Sequence, residues 1–277
     1  MPSIVNVASL LRKGRNLLYR GYLRRSIRRI GLNDILSDPY WKIVHKLSGH
    51  TQTHTIEGYS VDFEISTHTE FMRFRDLAGE QSIIADLLRA LEPDDIVYDI
   101  GANVGTYTCF IASKLGPGHT VAFEPEPQNA TKLHDNLKLN NLNAKFVEVA
   151  LSDTNGTVDF ALLGDEAGEG EHAIATNRNE KVIEVKSARG DTIIKQEGLP
   201  MPSVLKIDVE GAELSVLRGL NETLRDHVRL VYVEVHPEKL PDFGDCEPEI
   251  RAFLEGAGFE VTTLSSHRNE QFLCASK

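Results

Sequence analysis

Two carboxylates stand where apolar runs break into turns. Asp99 ends the run in "VYDIGANVG", residues 97 to 105, just ahead of Gly101-x-x-x-Gly105, and Glu124 ends "TVAFE", 23 residues beyond Gly101. In a sheet of alternating strands and helices, ligands sit at the carboxyl ends of the strands, and an acid at the end of the second strand meets ribose hydroxyls. The spacing departs from the GxGxxG of dinucleotide sites, and a carboxylate at Asp99 would oppose a pyrophosphate. A ligand with a sulfonium and an ammonium reverses that argument, so the pair points to S-adenosylmethionine rather than a nicotinamide dinucleotide. Gly101 and Gly105 would let the backbone approach it closely. The end of a third strand, "VEVALSD", would then bring Val149, Ala150 and Leu151 beside the adenine.

A second acid-rich stretch, "KIDVEGAE", offers the means to act on an acceptor. Lys206 and Asp208 share one face of a strand by its period of two, and Asp208 falls at the end where a methyl group would point. Moving a methyl onto a hydroxyl is mainly a matter of alignment, helped by a group that takes or polarises the proton. Asp208 is the expected base or metal ligand. Glu210 and Glu213 are three apart and could share a helix face, while Glu234 and His236 share the end of a neighbouring strand. A divalent metal at Asp208, Glu234 and His236 is conceivable but not favoured, because these ligands form no spacing motif. Cys109 is assigned to the core, and His172 lies in a polar insert within reach of an acceptor.

The elements that must position these residues follow from periodicity. "EQSIIADLLRAL" and "EPEIRAFLEGAG" carry helical apolar faces, as does "QNATKLHDNLKLN"; "DDIVYDI", "TVAFEPE", "AKFVEVAL", "SVLKID", "VRLVYVEV", "FEVTTL" and "EQFLCAS" read as strands. Alternation of strand and helix predicts a doubly wound, mainly parallel α/β sheet covered on both faces. "THTIEGYSVDFEIS" predicts a β-hairpin around Glu57 and Gly58. The expected organisation is a basic helical N-terminal arm (1 to 50), the hairpin (51 to 78) and a main domain (79 to 277). Within the main domain lies an insert, 152 to 203, whose polar, glycine-rich "GDEAGEGEHA" stretch is expected to be a mobile loop or lid.

Composition narrows the partners. Residues 1 to 30 hold eight basic side chains and no acid, so removing them from the formal charge of −11 leaves −19 on the remainder. An acidic main domain argues against nucleic acid, while the basic arm could contact anionic membrane as a peripheral protein. Three distant cysteines suggest neither a disulfide framework nor a zinc site, and no apolar run approaches a membrane span, which favours the cytoplasm.

Five blocks in order, "VYDIGANVGTYT", "VAFEPEPQN", "VEVALSD", "VLKIDVEGAE" and "VYVEVHPE", resemble the FkbM-type class I methyltransferases over roughly residues 80 to 264. The resemblance implies a Rossmann-like class I methyltransferase fold with a seven-stranded sheet, S-adenosylmethionine as donor, and a hydroxyl acceptor on a glycan or secondary metabolite. It carries cofactor roles to Asp99, Gly101, Asn103, Gly105 and Glu124, with Ala150 and Leu151 near adenine. Lys206, Asp208, Glu210, Glu234 and His236 are left as catalytic candidates. The rival readings are a non-catalytic cofactor- or glycan-binding protein tethered by its arm and a nucleic-acid methyltransferase; intact acids at the methyl end oppose the first, net acidity the second.

Overall fold

A computed structural model describes residues 32 to 47, 49 to 161, 173 to 174, 182 to 267 and 270 to 277. The basic arm of residues 1 to 30, the polar residues 164 to 172 and His172 lie outside them. The first element among the described residues is helix α1 (Leu32–Leu47), which buries Trp41 and Val44. The hairpin follows as β1 (Thr51–Ile56) and β2 (Tyr59–Glu64), antiparallel across a turn in which Glu57 and Gly58 both take positive φ (50° and 85°). Two positive φ values match the twist of the paired strands.

Helix α2 (His68–Asp76) opens with a capping box: the Glu70 amide donates to Thr67 Oγ1 (3.1 Å) and the Thr67 amide to Glu70 Oε2 (3.0 Å). Helix α3 (Gln81–Ala90) buries Ile83, Ile84, Leu87 and Leu88, the apolar face visible in its sequence. The βα alternation begins there: β3 (Val97–Ile100), α4 (Thr106–Leu115), β4 (Thr120–Phe123), α5 (Pro127–Leu139) and β5 (Lys145–Val147). After an excursion through β6 (Ala150–Ser152), β7 (Gly156–Ala161), β8 (Ala173–Ile174), β9 (Val182–Arg189) and α6 (Gly190–Glu197), the chain returns as β10 (Val204–Ile207). It closes with α7 (Glu213–Gly219), α8 (Asn221–Asp226), β11 (Leu230–Val235), α9 (Glu247–Gly256), β12 (Glu260–His267) and β13 (Glu270–Ser276).

Seven strands form the main sheet in the order β12-β13-β11-β10-β3-β4-β5. β11, β10, β3, β4 and β5 run parallel, and β13 is antiparallel to both β11 and β12. The chain therefore winds outward from β3 on one side and resumes beside β3 on the other, which makes the carboxyl ends of β3 and β10 the switch point of the sheet. Every residue of β3, β4, β10 and β11 is buried, as strands covered on both faces require. Tyr98, Ile100, Leu205 and Ile207 face one apolar layer, with Val216, Leu217 and Leu254 of the covering helices. Val97 and Val204 face the other, which includes Phe63, Phe74, Leu87 and Phe110.

The hairpin shares that second layer. Phe63 stacks on Phe74 (centroids 4.3 Å apart, planes 11° apart), and Phe110 of α4 lies 6.1 Å from Phe63. Asparagines of α5 complete the contact: Asn136 Oδ1 and Asn140 Oδ1 accept the β2 amides of Glu64 (3.0 Å) and Asp62 (2.7 Å).

One expectation needs correction. The run "AKFVEVAL" is not one strand: β5 stops at Val147, and Ala150 opens β6 in a separate four-stranded sheet of order β6-β9-β7-β8. The insert of residues 152 to 203 carries strands β7, β8 and β9, and residues 164 to 172 of its "GDEAGEGEHA" stretch lie outside the described residues. Its alternating apolar residues Val158 and Phe160, paired antiparallel with Val185 and Ile183, build a small apolar cluster with Ala150. The polar composition of residues 164 to 172 obscured this period-two signal on either side.

Beneath the sheet's amino-terminal edge, buried Asp95 accepts from Arg229 Nε (3.0 Å), Ser203 Oγ (2.6 Å) and the Glu92 amide (2.7 Å), tying the starts of β3, β10 and β11 together. Burial opposes its charge, but the Arg229 and Ser203 bonds outweigh burial and hold its pKa below the aspartate range. The stability it contributes is therefore complete above the unfolded value of about 3.9 and lost as pH falls through its lower folded value. Asp95→Ala is expected to cost about 2 kcal/mol at neutral pH, less than a fully buried pair because Arg229 is partly exposed. Urea unfolding checks this, and a variant within 0.5 kcal/mol of the parent, roughly the ordinary surface effect, would show that the knot is dispensable.

Candidate active site

The turn after β3 is shaped by contacts that only glycine permits. Gly101 has φ +78°, and a Cβ there would lie 1.7 Å from the carbonyl oxygen of Asp208 on the adjoining chain. Gly105, at φ +87°, would bring its Cβ to 3.0 Å from Leu133 Cγ of α5. Close approach is thus the correct reason for both glycines, but what approaches is the protein's own backbone and helix, not a ligand alone. Between them Asn103 takes φ +51°, which asparagine tolerates because its side chain bonds locally; its Oδ1 accepts the Val104 amide (2.8 Å).

The Asn103 amide donates to Glu124 Oε2 (2.8 Å), and the Glu126 amide donates to Glu124 Oε1 (2.9 Å). Glu124 is thereby fixed at the end of β4. Its burial pushes the carboxyl up to about 7, against the two backbone donors that favour the charged form. Each carboxylate oxygen retains acceptor capacity beyond its one backbone bond.

A cleft of about 590 Å³ opens over these carboxyl ends. At one end its walls are Val149, Ala150 and Leu151, with Phe160 and Ile174 contributed by the second sheet; Gly101, Asn103 and Glu124 line the middle; Asp208, Val209 and Glu210 line the other end. Among the described residues the lining includes three acids and no lysine or arginine. Such a surface suits an uncharged or cationic ligand with an apolar portion and disfavours a polyphosphate.

Asp99 does not line the cleft, contrary to the expectation that its carboxylate would face the ligand. Its side chain is 0 % exposed and lies on the opposite side of the turn, accepting from Thr108 Oγ1 and standing 3.7 Å from Lys206 Nζ. Asp99 and Lys206 are register partners on neighbouring strands, so the period that brings Lys206 to this face brings Asp99 with it. Burial raises the Asp99 pKa, opposed by the Lys206 charge. For Lys206 burial works against the ammonium, and the carboxylates of Asp208 and Asp99 outweigh it and hold it protonated above the usual lysine range. Its Nζ also sits 4.5 Å over the Tyr107 ring.

Asp208 divides its two oxygens. Oδ2 lies 3.4 Å from Lys206 Nζ and Oδ1 lies 3.9 Å from His236 Nε2. Burial would raise its pKa, but Lys206 first and His236 second hold it below the aspartate range, so Asp208 is ionised. His236 is gripped from its other side: Nδ1 lies 2.7 Å from Glu213 Oε1, which also accepts the Gly211 amide (2.8 Å). His236 Nε2 is 3.2 Å from Glu210 Oε2, which accepts from Lys239 as well. Burial would lower the imidazole, yet the Glu213 bond and the charges of Asp208 and Glu210 raise it to about 10, making it an imidazolium at neutral pH. Glu234, buried beside them, is pushed up to about 10 by burial and by the charges of Asp208 and Glu80, and holds a proton.

These positions correct a further expectation. Glu210 and Glu213 do not meet on one helix face, because Glu210 precedes α7 with φ +56° and Glu213 is its first residue; they meet through His236. Several participants are given no role by the sequence motifs, Lys239 and Tyr107 among them. Glu80, ahead of α3, acts on Lys206 and Glu234 through its charge, and Phe160 and Ile174 reach the cleft from the second sheet. The alternation around Phe160 was a usable signal; nothing local marks Glu80.

Comparison with known proteins places this geometry. The model of the methyltransferase FkbM domain matches residues 99–261. The hexuronic acid methyltransferase AglP of Haloferax volcanii is 31% identical over 218 residues, 79% of this chain and 85% of that protein. The 31-O-demethyl-FK506 methyltransferase FkbM of Streptomyces tacrolimicus is 30% identical over 200 residues, 62% of this chain and 75% of its own length. The 2-O-methyltransferase NoeI of Sinorhizobium fredii is 27% identical over 164 residues, covering 54% and 66%.

The turn yields a direct test. Gly101→Ala places a methyl group 1.7 Å from a main-chain oxygen at positive φ, so either β3 or β10 must shift at its carboxyl end. A destabilisation of about 2 kcal/mol or more is expected in thermal or urea unfolding. Gly118→Ala, where positive φ applies but no atom lies within 4 Å, is expected to cost clearly less; equal losses would show that the contact with Asp208 is not the constraint.

Proposed function

Because the chain belongs to the methyltransferase FkbM domain family, we propose that it transfers a methyl group from S-adenosylmethionine to a hydroxyl oxygen of a sugar or other small hydroxylated acceptor. The observation that carries this reading is the cleft at the switch point, apolar at one end, acidic at the other and, among the described residues, lined by no lysine or arginine. The residues present fit the donor. Glu124 has acceptor capacity for ribose hydroxyls, Val149, Ala150 and Leu151 with Phe160 offer an adenine-sized apolar wall, and Asp208 and Glu210 complement positive charge at the far end. When bound, S-adenosylmethionine supplies an electrophilic methyl on a cationic sulfur. The chain's own task is then to bring an acceptor oxygen into line.

Of Asp208, Glu234 and His236, Asp208 is the one prepared to take a proton, since it is ionised while the other two already carry one. Its low proton affinity makes it a weak base toward a neutral hydroxyl. As the new C–O bond forms, the acceptor proton becomes strongly acidic, and a fixed carboxylate then suffices to orient and receive it. Lys206 and His236 serve as positioning residues that keep Asp208 charged and in place. Asp99, Gly101, Asn103 and Gly105 shape the turn that carries the cofactor, with Asp99 acting through Lys206.

The relatives that methylate a hexuronic acid, an FK506 precursor and a 2-O position support an acceptor from the sugar or small-metabolite class. Net acidity of the chain supports it over nucleic acid. Among the described residues no helix is long and apolar enough to cross a membrane.

Calorimetric titration with S-adenosylmethionine tests the pocket. The protein is expected to bind, and Glu124→Ala to bind roughly 10- to 100-fold more weakly, the value of about 1.5–3 kcal/mol for hydrogen bonds to a charged group; a folded protein that fails to bind would end this reading. Because the Glu124 carboxyl sits near 7, affinity is expected to rise as pH increases from 6 to 8 and the carboxylate forms, and to lose that dependence in Glu124→Gln. A flat wild-type profile would remove Glu124 as a charge complement. With an acceptor in hand, Asp208→Asn is expected to lower kcat by about 10²- to 10⁴-fold, and a methylated product resistant to mild alkali would identify an ether rather than an ester.

A further inference from the structure

We propose that Asp208, Glu210 and His236 form a binding site for a first-row divalent cation at the acceptor end of the cleft, an inference that rests on the methyltransferase reading of the same cleft. One oxygen of Asp208, one of Glu210 and one imidazole nitrogen lie mutually within 4.8 Å. His236 Nε2 stands 3.2 Å from Glu210 Oε2 and 3.9 Å from Asp208 Oδ1. Ligand atoms about 2.1 Å from one cation are separated from their neighbours by about 3.0–3.4 Å, so slight contraction around an ion completes the set.

The support behind the imidazole is the second observation. Metal-bound histidines commonly present their other nitrogen to a carboxylate, which fixes the ring and raises its basicity. Here Glu213, 0 % exposed, takes Nδ1 at 2.7 Å and is itself anchored by the Gly211 amide at 2.8 Å. The tautomer this enforces in the neutral ring leaves the Nε2 lone pair directed between the two cleft carboxylates. Glu213 Oε2 is buried with no hydrogen-bond partner among the described residues, so positive charge at His236 complements a carboxyl that hydrogen bonding leaves half satisfied. Asp208 is already divided to serve both purposes, with Oδ2 toward Lys206 and Oδ1 toward His236.

The donor chemistry sets the class of ion. Two carboxylate oxygens and one imidazole suit Mn²⁺, Fe²⁺ or Zn²⁺ better than the all-oxygen ions, and three protein ligands leave positions open. Asp208 and Glu210 both line the cleft, so those positions face the space an acceptor would enter. A cation there would bind two adjacent hydroxyls of a sugar and fix which one is presented. The set differs from the one expected from sequence, with Glu210 in place of Glu234, which lies outside the lining of the cleft.

The test uses full-length protein stripped with chelator and titrated with Mn²⁺, reading the free-ion signal by electron paramagnetic resonance and the heat in two buffers of different ionisation enthalpy. One Mn²⁺ per chain with proton release is expected, since coordination requires Nε2 without its proton. His236→Ala and Glu210→Gln are expected to lose at least 10-fold in affinity, and Glu213→Gln, which touches no cation, roughly 10- to 100-fold. Glu222→Gln, in an exposed pair with Lys195, is expected to bind as the parent does. Should His236→Ala fail to fold by near-ultraviolet circular dichroism, Glu210→Gln at the cleft surface decides. Folded parent protein without Mn²⁺ uptake at millimolar ion, or a folded Glu210→Gln with parental affinity, overturns the site. S-adenosylmethionine binding to the stripped protein separates this failure from failure of the methyltransferase reading.

Discussion

One buried ammonium holds the centre of the molecule together. Lys206 lies between Asp99 and Asp208 and over the ring of Tyr107, at the point where the sheet reverses its winding. Without the lysine, Asp99 would be a carboxylate in an apolar layer, a state that costs several kcal/mol and forces protonation. Without the two acids, the lysine could not remain charged. The pair occurs across adjacent strands in register, so forming the β3–β10 ladder and neutralising these charges are the same event. Everything at the switch point is positioned relative to that ladder, including the Asp208 carbonyl that forbids a side chain at Gly101.

From this pairing follows a division of labour among groups that are chemically alike. Asp99, Asp208, Glu210, Glu213 and Glu234 are all carboxyls near the same cleft end, and environment separates them. Glu234 retains its proton in a buried setting, whereas Asp208 loses it to the company of Lys206 and His236. Groups driven apart in this way are the usual means by which a protein assigns acid and base roles at neutral pH. Glu213 supports the imidazole from behind, and Glu210, in left-handed backbone, turns its carboxylate toward the front. The same arrangement that keeps Asp208 ionised also assembles the mixed oxygen and nitrogen donors of the proposed cation site.

The outer elements serve this centre in different ways. The hairpin and α2 join the apolar layer that covers the Lys206 side, and Asn136 bonds both β2 and the Val104 carbonyl of the glycine turn (2.9 Å), linking that cover to the turn that lines the cleft. The second sheet adds Phe160 and Ile174 to the opposite wall. An insert that reads as polar in sequence thus contributes apolar surface to the end of the cleft lined by Val149, Ala150 and Leu151.

What the sequence determined by itself is local. Strands β3, β4, β10 and β11, the helices between them, the hairpin turn at Glu57 and Gly58, and the placement of Glu124 and Asp208 at strand ends all follow from periods of two and 3.6 and from turn residues, which depend on near neighbours along the chain. The five motif blocks added the family, and with it the cofactor. Tertiary structure decided what depends on register and crossing. Only pairing β3 with β10 could show that Asp99 faces Lys206 instead of lining the cleft, that Gly101 makes way for the Asp208 carbonyl, and that Glu210 and Glu213 meet through His236. Likewise only the fold could bring Glu80 to the charge cluster and split Ala150 from Val147 into another sheet. A side chain's direction within a strand is written in its neighbours, but its partner is chosen by a strand distant in sequence, and the charge state of a buried acid depends on that partner.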